Sequence, residues 1–585
     1  MWYLDKIVEL LSDTDKERLK SIYAPTIVGV PISSARRSIC VMPDGEIRNY
    51  GFSIRKNVYG EDGEGVIYQS SRNGGLDWSF HQAPSDRVMG ASTFIPHANK
   101  YITVFSDAYM GYSEQGTYCR ISEIGPDDEN PRIVKICEDN LSDTFQPVVL
   151  SDGKIIVTGH YQEENEYTPV VMTSKSDGDS WEILRLNPSP KHEFAYPHKG
   201  IRWQNNGAEP HVCEMANGTL MLMARTSLDY FYVYYSYDRG ETWTSGEPSM
   251  FNGTLTSPYL LTLSDGRTLF FWNNARPLPE LNHHEQEHLT LAELVKAGLC
   301  EDVFTNRDVN HVAITHDGIH WEGFREMGLN GIRNAPDFRT KGGNRFSADK
   351  SVHQFQAIEL PYGKVLVAYG QHELSSKLVI FDPNWLYENE RHEDWQLGMD
   401  GISTQLYVKS YSGSTLAQFG FSGHCAWNRT NGALLIPDPD FTGAEVLQIA
   451  RVHDERLYSE VQGAVWNFPS GDVGEVKMTV RIQGAGIKVR LCDHWINPCD
   501  EYAGYYAIFD FELDERLLPK GVWCDVTIRF DVSCDAKVYC GDKLLFSVPL
   551  QYTPKHGISY LHLQTMAKTS DFKGTLIKHL DFVKK

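Results

Sequence analysis

The sequence predicts an all-β fold in which a six-bladed β-propeller is followed by a β-sandwich. Three observations lead to this prediction: a turn phrase ending in tryptophan that occurs four times, a second turn-and-strand unit that occurs six times, and a C-terminal stretch of alternating strands that lacks both repeats. Short apolar strands separated by regular turns are typical of propellers, because each blade is a small antiparallel sheet. A chain of 585 residues has room for both domains.

The tryptophan-ending phrase combines a hydroxyl residue, an Asp or Asn, a glycine and a tryptophan. In such a hairpin the Asp or Asn bonds local backbone, the glycine takes the positive φ, and the tryptophan covers the turn. The third copy has the full pattern Ser/Thr-x-Asp-x-Gly-x-x-Trp, the first has Asn73 and the second Ser176 at the Asp position, and the fourth is one residue short. The copies span 71–78, 174–181, 236–243 and 315–321. The phrase resembles the Asp-box (BNR repeat) of sialidases (neuraminidases) and related β-propellers, and the sialidase fold is a six-bladed propeller.

The second repeat is a turn followed by a β-rich apolar stretch. Six such units predict six blades. Their turns contain Asp44-Gly45, Asn99, Asp152-Gly153, Asn217-Gly218, Asp265-Gly266 and Gly363. The predicted domains are an N-terminal helical segment over 1–24, a sialidase-like propeller over 25–395, and a lectin-like sandwich over 400–585.

The C-terminal region shows period-two strands with regular turns and no Asp-box, which predicts a β-sandwich. This region resembles the concanavalin-like (lectin-type) jelly rolls that accompany sialidase propellers. Sugar binding is one role for it, and covering one side of the propeller is the other.

Charge and cysteine content restrict the partners and the compartment. The formal net charge of −22 disfavours nucleic acid and anionic membranes and leaves a glycan or oligosaccharide as the expected partner. The N-terminus is acidic and amphipathic, without the basic start and apolar core of a secretion signal. Eleven cysteines without a Cys-x-x-Cys pair are typical of free thiols in a reducing compartment, so a cytoplasmic location is expected.

The resemblance implies a sugar-binding site with known parts. Sialidases hold a sugar carboxylate with three arginines, use a tyrosine nucleophile assisted by a glutamate, and supply an aspartate as acid/base. Glu209 and Arg225, sixteen residues apart, match the glutamate and the second arginine. For the third arginine, Arg307 lies eight residues before the fourth box, and Arg276 competes for the same role.

The first arginine and the acid/base follow the family pattern less closely. Arg36 and its neighbour Arg37 stand near the expected place of the first arginine, but the Ile-Pro that follows it in the family is missing. A solvated basic edge is the alternative. Asp62 fits the acid/base position in an acidic loop, with Glu61 and Glu64 as the next choices.

The family's nucleophile has no counterpart at its expected place. Counting back nine residues from Gly363 gives Gln354 instead of a tyrosine. His353 beside it is therefore the candidate base, because an imidazole titrates near neutrality. His160 and His372 end strands in similar contexts, and the three histidines together suggest a polar central pocket.

A metal site is not predicted, although one motif has the required spacing. His284 and His288 match His-Glu-x-x-His, which on a helix places two imidazoles on one face for zinc. The motif lies in a polar insertion without a persuasive third ligand, so we expect a rim element there and no cofactor.

These features together predict a sialidase-like glycoside hydrolase that acts on a terminal sugar, carboxylated or neutral. Its candidate catalytic residues are Asp62, Glu209 and His353. Its candidate substrate-binding residues are Arg36, Arg37, Arg225, Arg276, Arg307, Gln354, His160 and His372. Two alternatives remain: a non-catalytic glycan-binding propeller, and a His-dependent polysaccharide lyase.

Overall fold

A computed structural model describes the chain except for residues 33–38, 52–66, 84–91, 107–114, 164–165, 194–204, 277–306, 329–351, 371–375, 408–428, 453–460 and 501. Two short helices begin the chain, α1 (Leu4–Leu10) and α2 (Asp13–Ser21). The Ser12 side chain caps α2 by accepting a hydrogen bond from the Asp15 amide. Ile7, Leu11 and Leu19 of these helices pack against the first and last blades.

Six four-stranded antiparallel sheets follow, as the sequence predicts. The first three blades consist of β2 (Ile39–Val41), β3 (Ile47–Tyr50), β4 (Ile67–Ser71) and β5 (Ser79–Gln82); β6 (Thr93–Ile95), β7 (Lys100–Ser106), β8 (Thr117–Ser122) and β9 (Arg132–Cys137); β10 (Val148–Val149), β11 (Ile155–Glu163), β12 (Glu166–Ser174) and β13 (Glu182–Arg185). They are preceded in the chain by strand β1 (Thr26–Gly29).

The last three blades complete the ring. They consist of β14 (Asn206–Glu214), β15 (Leu220–Thr226), β16 (Tyr230–Ser236) and β17 (Glu247–Asn252); β18 (Tyr259–Thr262), β19 (Thr268–Trp272), β20 (His311–Thr315) and β21 (Trp321–Glu326); β22 (Gln356–Leu360), β23 (Lys364–Tyr369) and β24 (Lys377–Phe381). The sixth blade takes its fourth strand from the start of the chain, because β1 pairs with β24. The propeller is thus closed by its own N-terminal strand.

The Asp-box turns make the local hydrogen bonds that the sequence predicts. In the third box Ser236 Oγ accepts from the Gly240 amide at 2.8 Å, and the Asp238 carboxylate accepts from the Thr242 amide at 2.9 Å. Gly240 has φ +88°, which a side chain would strain. In the first, second and fourth boxes the tryptophan indole donates to the carbonyl of the box glycine. Boxes join the third and fourth strands of blades one, three, four and five.

A two-layered sandwich follows the propeller. The strands after the sixth blade are β25 (Glu390–Glu393), β26 (Ile402–Ser403), β27 (Gln405–Tyr407), β28 (Arg429–Asn431), β29 (Leu434–Pro437), β30 (Glu445–Arg451), β31 (Gly463–Gly471), β32 (Val473–Ile482), β33 (Ile487–Cys492), β34 (Phe509–Leu513), β35 (Cys524–Asp531), β36 (Ala536–Cys540), β37 (Lys543–Val548), β38 (Ile558–Thr565) and β39 (Asp571–Lys584). A helical turn, α3 (Ala503–Tyr506), lies between β33 and β34. One sheet has the order β29-β30-β39-β32-β35-β36-β37, with β25 also on β39, and the other has the order β26-β31-β38-β33-β34.

The sandwich begins earlier than the sequence predicts. Strand β25 lies inside the predicted propeller range of 25–395, yet it pairs with β39 of the sandwich. The two domains also share a buried interface, in which the Trp495 amide donates to the Asn274 carbonyl at 2.8 Å and the Glu326 amide donates to Asn467 at 2.9 Å. One apolar cluster combines Ala275 and Val309 of the propeller with sandwich residues, Trp495 among them.

Candidate functional site

The candidate site residues that the structure describes lie at one face of the propeller. The boxes and the Asp-Gly turns close hairpins at the other face, and because neighbouring strands are antiparallel, the opposite strand ends must meet here. These residues lie in or just after second strands, just before a third strand, or in or just before inner strands. They are His160, Glu209, Arg225, Arg276, Arg307, His353 and Gln354.

Glu209 and Arg225 form a buried ion pair. Strand pairing places Ala208 opposite Arg225, and the Arg225 Nη1 lies 3.2 Å from the Glu209 Oε2. The side chains are only 3% and 8% exposed, respectively. Within the described residues the Arg225 Nε has no hydrogen-bond partner. Glu209 therefore fixes the guanidinium from one edge, and the Nε edge keeps a donor for a further acceptor.

The backbone at Glu209 is held in an unusual conformation. Glu209 has φ +46°, and the register of its strand shifts between Ala208 and His211. The Glu209 amide donates to His160 Nδ1 at 3.2 Å, so His160 stabilises this backbone directly. A non-glycine residue in the left-handed region costs energy and is found most often at functional sites.

Asp143 extends this group, and the sequence analysis did not identify it. Its carboxylate lies 4.0 Å from His160 Nε2, and its backbone also has a positive φ, +48°. Asp143 precedes the inner strand of the third blade, and Glu209 lies in the first half of the inner strand of the fourth. No motif marks it; only its place before an inner strand could have done so.

Arg307 belongs to a second group on the same face. Its side chain is fully buried, and its Nη2 donates to the Leu255 carbonyl. Its own carbonyl accepts from the Val352 amide at 2.9 Å, which brings Arg307 beside His353 and Gln354. Asp308, which follows directly in the sequence, is 2% exposed and was not identified in the sequence analysis.

His353 and Gln354 contact each other, and neither is a tyrosine. The Gln354 Nε2 lies 3.2 Å from the His353 Nε2, and both residues are buried. Gln354 has φ +66°, the same left-handed conformation that Glu209 and Asp143 adopt at the entry of their blades. The residue that the sequence predicts at the place of the family's tyrosine is thus an amide hydrogen-bonded to an imidazole.

Arg276 points toward the sandwich. Its Nε donates to Asn252 at 2.9 Å, and its guanidinium lies 5.8 Å from the Tyr506 ring. Burial is the largest single influence and lowers the pKa of Arg276, but Asp493 together with Tyr552, Asp229 and Tyr506 outweighs it, so the net pKa is raised. Of the two arginines that compete for the third position, Arg307 is beside His353, whereas Arg276 lies in the interface between the domains.

Several candidates fall outside the described residues. These are Arg36, Arg37, Asp62, His372 and the motif residues His284 and His288. Among the described residues no group of three His, Cys, Asp or Glu side chains is arranged to hold a metal ion. The helices of this part of the chain are all too short or too polar to cross a membrane.

Fold and site together define a six-bladed Asp-box propeller with a buried, polar face and an attached β-sandwich. Residues 144–327 match the family model of the BNR repeat-like domain, so the resemblance predicted from the boxes is confirmed over that segment. No curated protein sequence matches the chain.

Three solved structures are similar over much of the chain. Trypanosoma rangeli sialidase is 12% identical, with 94% of this chain and 92% of that chain covered and a TM-score of 0.34. A protein of unknown function from Dyadobacter fermentans is 15% identical, with 61% and 98% covered and a TM-score of 0.35. An exo-β-1,3-galactanase from Phanerochaete chrysosporium is 7% identical, with 95% and 100% covered and a TM-score of 0.32.

Proposed function

We propose that this protein is a sialidase-like glycoside hydrolase that binds the terminal sugar of a glycan at the face carrying Glu209 and Arg225, with a carboxylated sugar as the preferred ligand. The observation that carries the proposal is the buried pair itself. Arg225 is oriented by Glu209 through Nη1, and its Nε has no hydrogen-bond partner in the described part of the chain. A buried donor without a partner is costly, and a sugar carboxylate would satisfy it with a charge-assisted bond.

Each residue of the site has a role in this proposal. Arg225 and Arg307 supply positive charge for the sugar carboxylate. Glu209 orients Arg225 and is the carboxylate available for proton transfer, while His160 holds the Glu209 backbone in place. Asp62 remains the proposed acid, and the remaining proposed contacts are Arg36, Arg37 and His372.

The reaction would follow the chemistry common to glycosidases. An acid protonates the leaving oxygen while a positively charged, oxocarbenium-like centre develops at the sugar. Glu209 would stabilise that centre or activate a water molecule that attacks it. His353 is the second proposed base, because a neutral imidazole can accept the proton of such a water.

A second candidate function is glycan binding without catalysis. It is favoured by the contact of the Gln354 amide with His353 at 3.2 Å, because the sequence predicts Gln354 at the place of the family's nucleophilic tyrosine. An amide can bind sugar hydroxyls but cannot form the tyrosyl-glycoside intermediate. The polysaccharide lyase alternative depends on His353 acting as a base beside a uronate.

The Arg225→Lys variant tests the ligand class. Lysine keeps the charge but cannot offer a carboxylate the planar fork of a guanidinium. We expect binding of N-acetylneuraminic acid, measured by calorimetry, to weaken by about 2–3 kcal/mol, the range of a charge-assisted hydrogen bond. The exposed Arg185, whose side chain is 53% exposed and paired with Asp139, gives the matched control Arg185→Lys, for which no change is expected.

Two results would contradict the carboxylate role of Arg225: a wild-type protein that binds no acidic monosaccharide, and an Arg225→Lys variant that binds as well as the wild type. Enzyme and binding protein are then separated by turnover. A hydrolase releases the fluorophore from a fluorogenic sialoside or galactoside, and Glu209→Gln abolishes the release. A protein that binds the sugar but releases nothing is the non-catalytic propeller, and release of an unsaturated uronate identifies a lyase.

A further inference from the structure

A groove lies beside the larger sheet of the sandwich. It has a volume of about 1040 Å³ and lies where β39 leaves its partner β30 and pairs with β25. This is the size of sites that hold extended small molecules. None of the residues proposed above for the propeller site lines it.

An irregularity in β39 directs two side chains into this groove. The register of β39 against β32 shifts between Met478 and Val480, so Lys578 and His579 both lie opposite Thr479. Their side chains are 40% and 37% exposed, and both line the groove. Such a bulge turns side chains that would alternate between faces toward the same face, and bulges are frequent beside binding sites.

Each basic side chain of the groove lies beside a carboxylate. Lys578 Nζ lies 3.0 Å from the Asp438 Oδ2, and His392 Nδ1 lies 2.5 Å from the Asp581 Oδ1. Donors and acceptors therefore stand side by side, which suits hydroxyl groups because each hydroxyl both donates and accepts. Asp394 and Glu445 add further carboxylates to the lining, so its excess of charge is negative, which disfavours an acidic sugar and supplies acceptors for sugar hydroxyls.

An exposed aromatic ring completes the groove. Phe441 lines it and is 65% exposed. An exposed ring inside a groove of polar groups offers a flat apolar surface to a ligand that also carries hydroxyls. The apolar face of a pyranose can cover such a ring while its hydroxyls bond the polar lining.

We propose that this groove is a second glycan site, which binds a neutral oligosaccharide, separate in place and in ligand charge from the propeller site. Its volume of about 1040 Å³ can hold an oligosaccharide, and its adjacent donors and carboxylates with the exposed ring suit a neutral polyhydroxylated chain. Its function would be to hold the body of a glycan while the propeller face acts on an end. Binding in the groove requires no catalysis at the propeller.

An oligosaccharide array gives the first test. The full-length protein is applied to immobilised neutral galacto-, gluco- and xylo-oligosaccharides, to sialylated oligosaccharides, and to a lysine-rich peptide. Phe441→Ala is compared with the matched control Phe572→Ala, which removes a ring that is 69% exposed in the same domain and does not line the groove. Both side chains are exposed, so neither change should affect folding.

We expect wild type and Phe572→Ala to bind neutral oligosaccharides equally. Phe441→Ala should bind them roughly five- to tenfold more weakly, the loss expected for one aromatic stacking contact. Gln396→Ala, which removes a polar group of the lining, should weaken binding in the same direction. Acidic-sugar binding that depends on Arg225 should be unchanged in all three variants, so failure of one site is distinguishable from failure of the other.

Three outcomes would overturn the proposal. The first is a wild-type protein that binds no neutral oligosaccharide, and the second is equal binding by Phe441→Ala and Phe572→Ala. The third is binding of the lysine-rich peptide alone, which would identify the groove as a site for cationic peptides.

Discussion

Replacing Glu209 by glutamine removes one charge of the buried pair and leaves the Arg225 guanidinium buried without its counter-ion. The carboxylate and the guanidinium are 3.2 Å apart, with side chains 3% and 8% exposed. Removing one partner of a buried ion pair costs about 3–5 kcal/mol, because desolvation of the remaining charge is no longer offset. The glutamine oxygen can still accept from Nη1, so we expect the lower end of this range, about 3 kcal/mol.

The corresponding shift in melting temperature follows from the size of the unfolding unit. The blades run from Thr26 to Phe381, and at roughly 2.1 cal/mol/K per residue their entropy of unfolding is about 0.7 kcal/mol/K. A loss of 3 kcal/mol then lowers the melting temperature by about 4 °C, or by about 2–3 °C if the sandwich unfolds together with the propeller. Differential scanning calorimetry measures the shift and reports whether the domains melt together.

An exposed ion pair of the same length is the control. Arg185 and Asp139 are 3.3 Å apart with side chains 53% and 46% exposed, and Asp139→Asn should shift the melting temperature by less than about 1 °C. A Glu209→Gln shift no larger than that of Asp139→Asn would refute the reasoning. Adding Arg225→Gln to Glu209→Gln should recover part of the lost stability, since no buried charge is then left without a partner.

Two further predictions concern the turns and the domain interface. Asp238→Ala removes the acceptor for Ser236 and Thr242 in the third box and should lower the free energy of unfolding, measured in urea, by about 1–2 kcal/mol. The control Tyr237→Ala changes a side chain that is 75% exposed in the same turn and should leave the free energy of unfolding unchanged. Equal effects of the two substitutions would show that the box is dispensable. His556 stacks on Phe324 at 3.9 Å, and burial lowers its pKa to about 4. Between about pH 6.5 and pH 4 the unfolded chain therefore binds a proton that the folded chain does not, so the folded state should become less stable as the pH is lowered through that window. Relative to His556→Phe, the wild type should lose about 2–3 kcal/mol between pH 7.5 and pH 4.5 in thermal melts, and parallel pH profiles would contradict the assignment.

The repeated parts of the fold could be predicted from the sequence because their causes are local. In each box a hydroxyl side chain hydrogen-bonds the amide of the box glycine, and all partners lie within eight residues, so the pattern can be recognised in the sequence. The closing strand β1 could not be predicted in this way. Thr26 pairs with Ile380, and nothing in the short β1 segment indicates so distant a partner.

In the candidate site too, local relations could be predicted from the sequence and distant ones could not. The spacing of Glu209 and Arg225 identified a true pair because both lie on neighbouring strands of one hairpin, with Ala208 opposite Arg225. The choice between Arg276 and Arg307 depended on where the sandwich packs, and that packing involves Asp493, more than two hundred residues away in the chain. Asp143 was missed because its relation to His160 is made by packing between strands and has no motif.

Closure of the ring by its first strand has a consequence for how the protein is made. During synthesis β1 leaves the ribosome before the other described propeller strands, and its partner β24 is among the last of them to appear. Until both are present, β24 has an open edge of unpaired amides and carbonyls, the kind of edge that pairs with other chains. When many copies refold together, the β1 of one copy can complete the sixth blade of another and exchange strands between molecules. The yield of monomer on refolding should therefore fall as the protein concentration rises, even though every blade is intact.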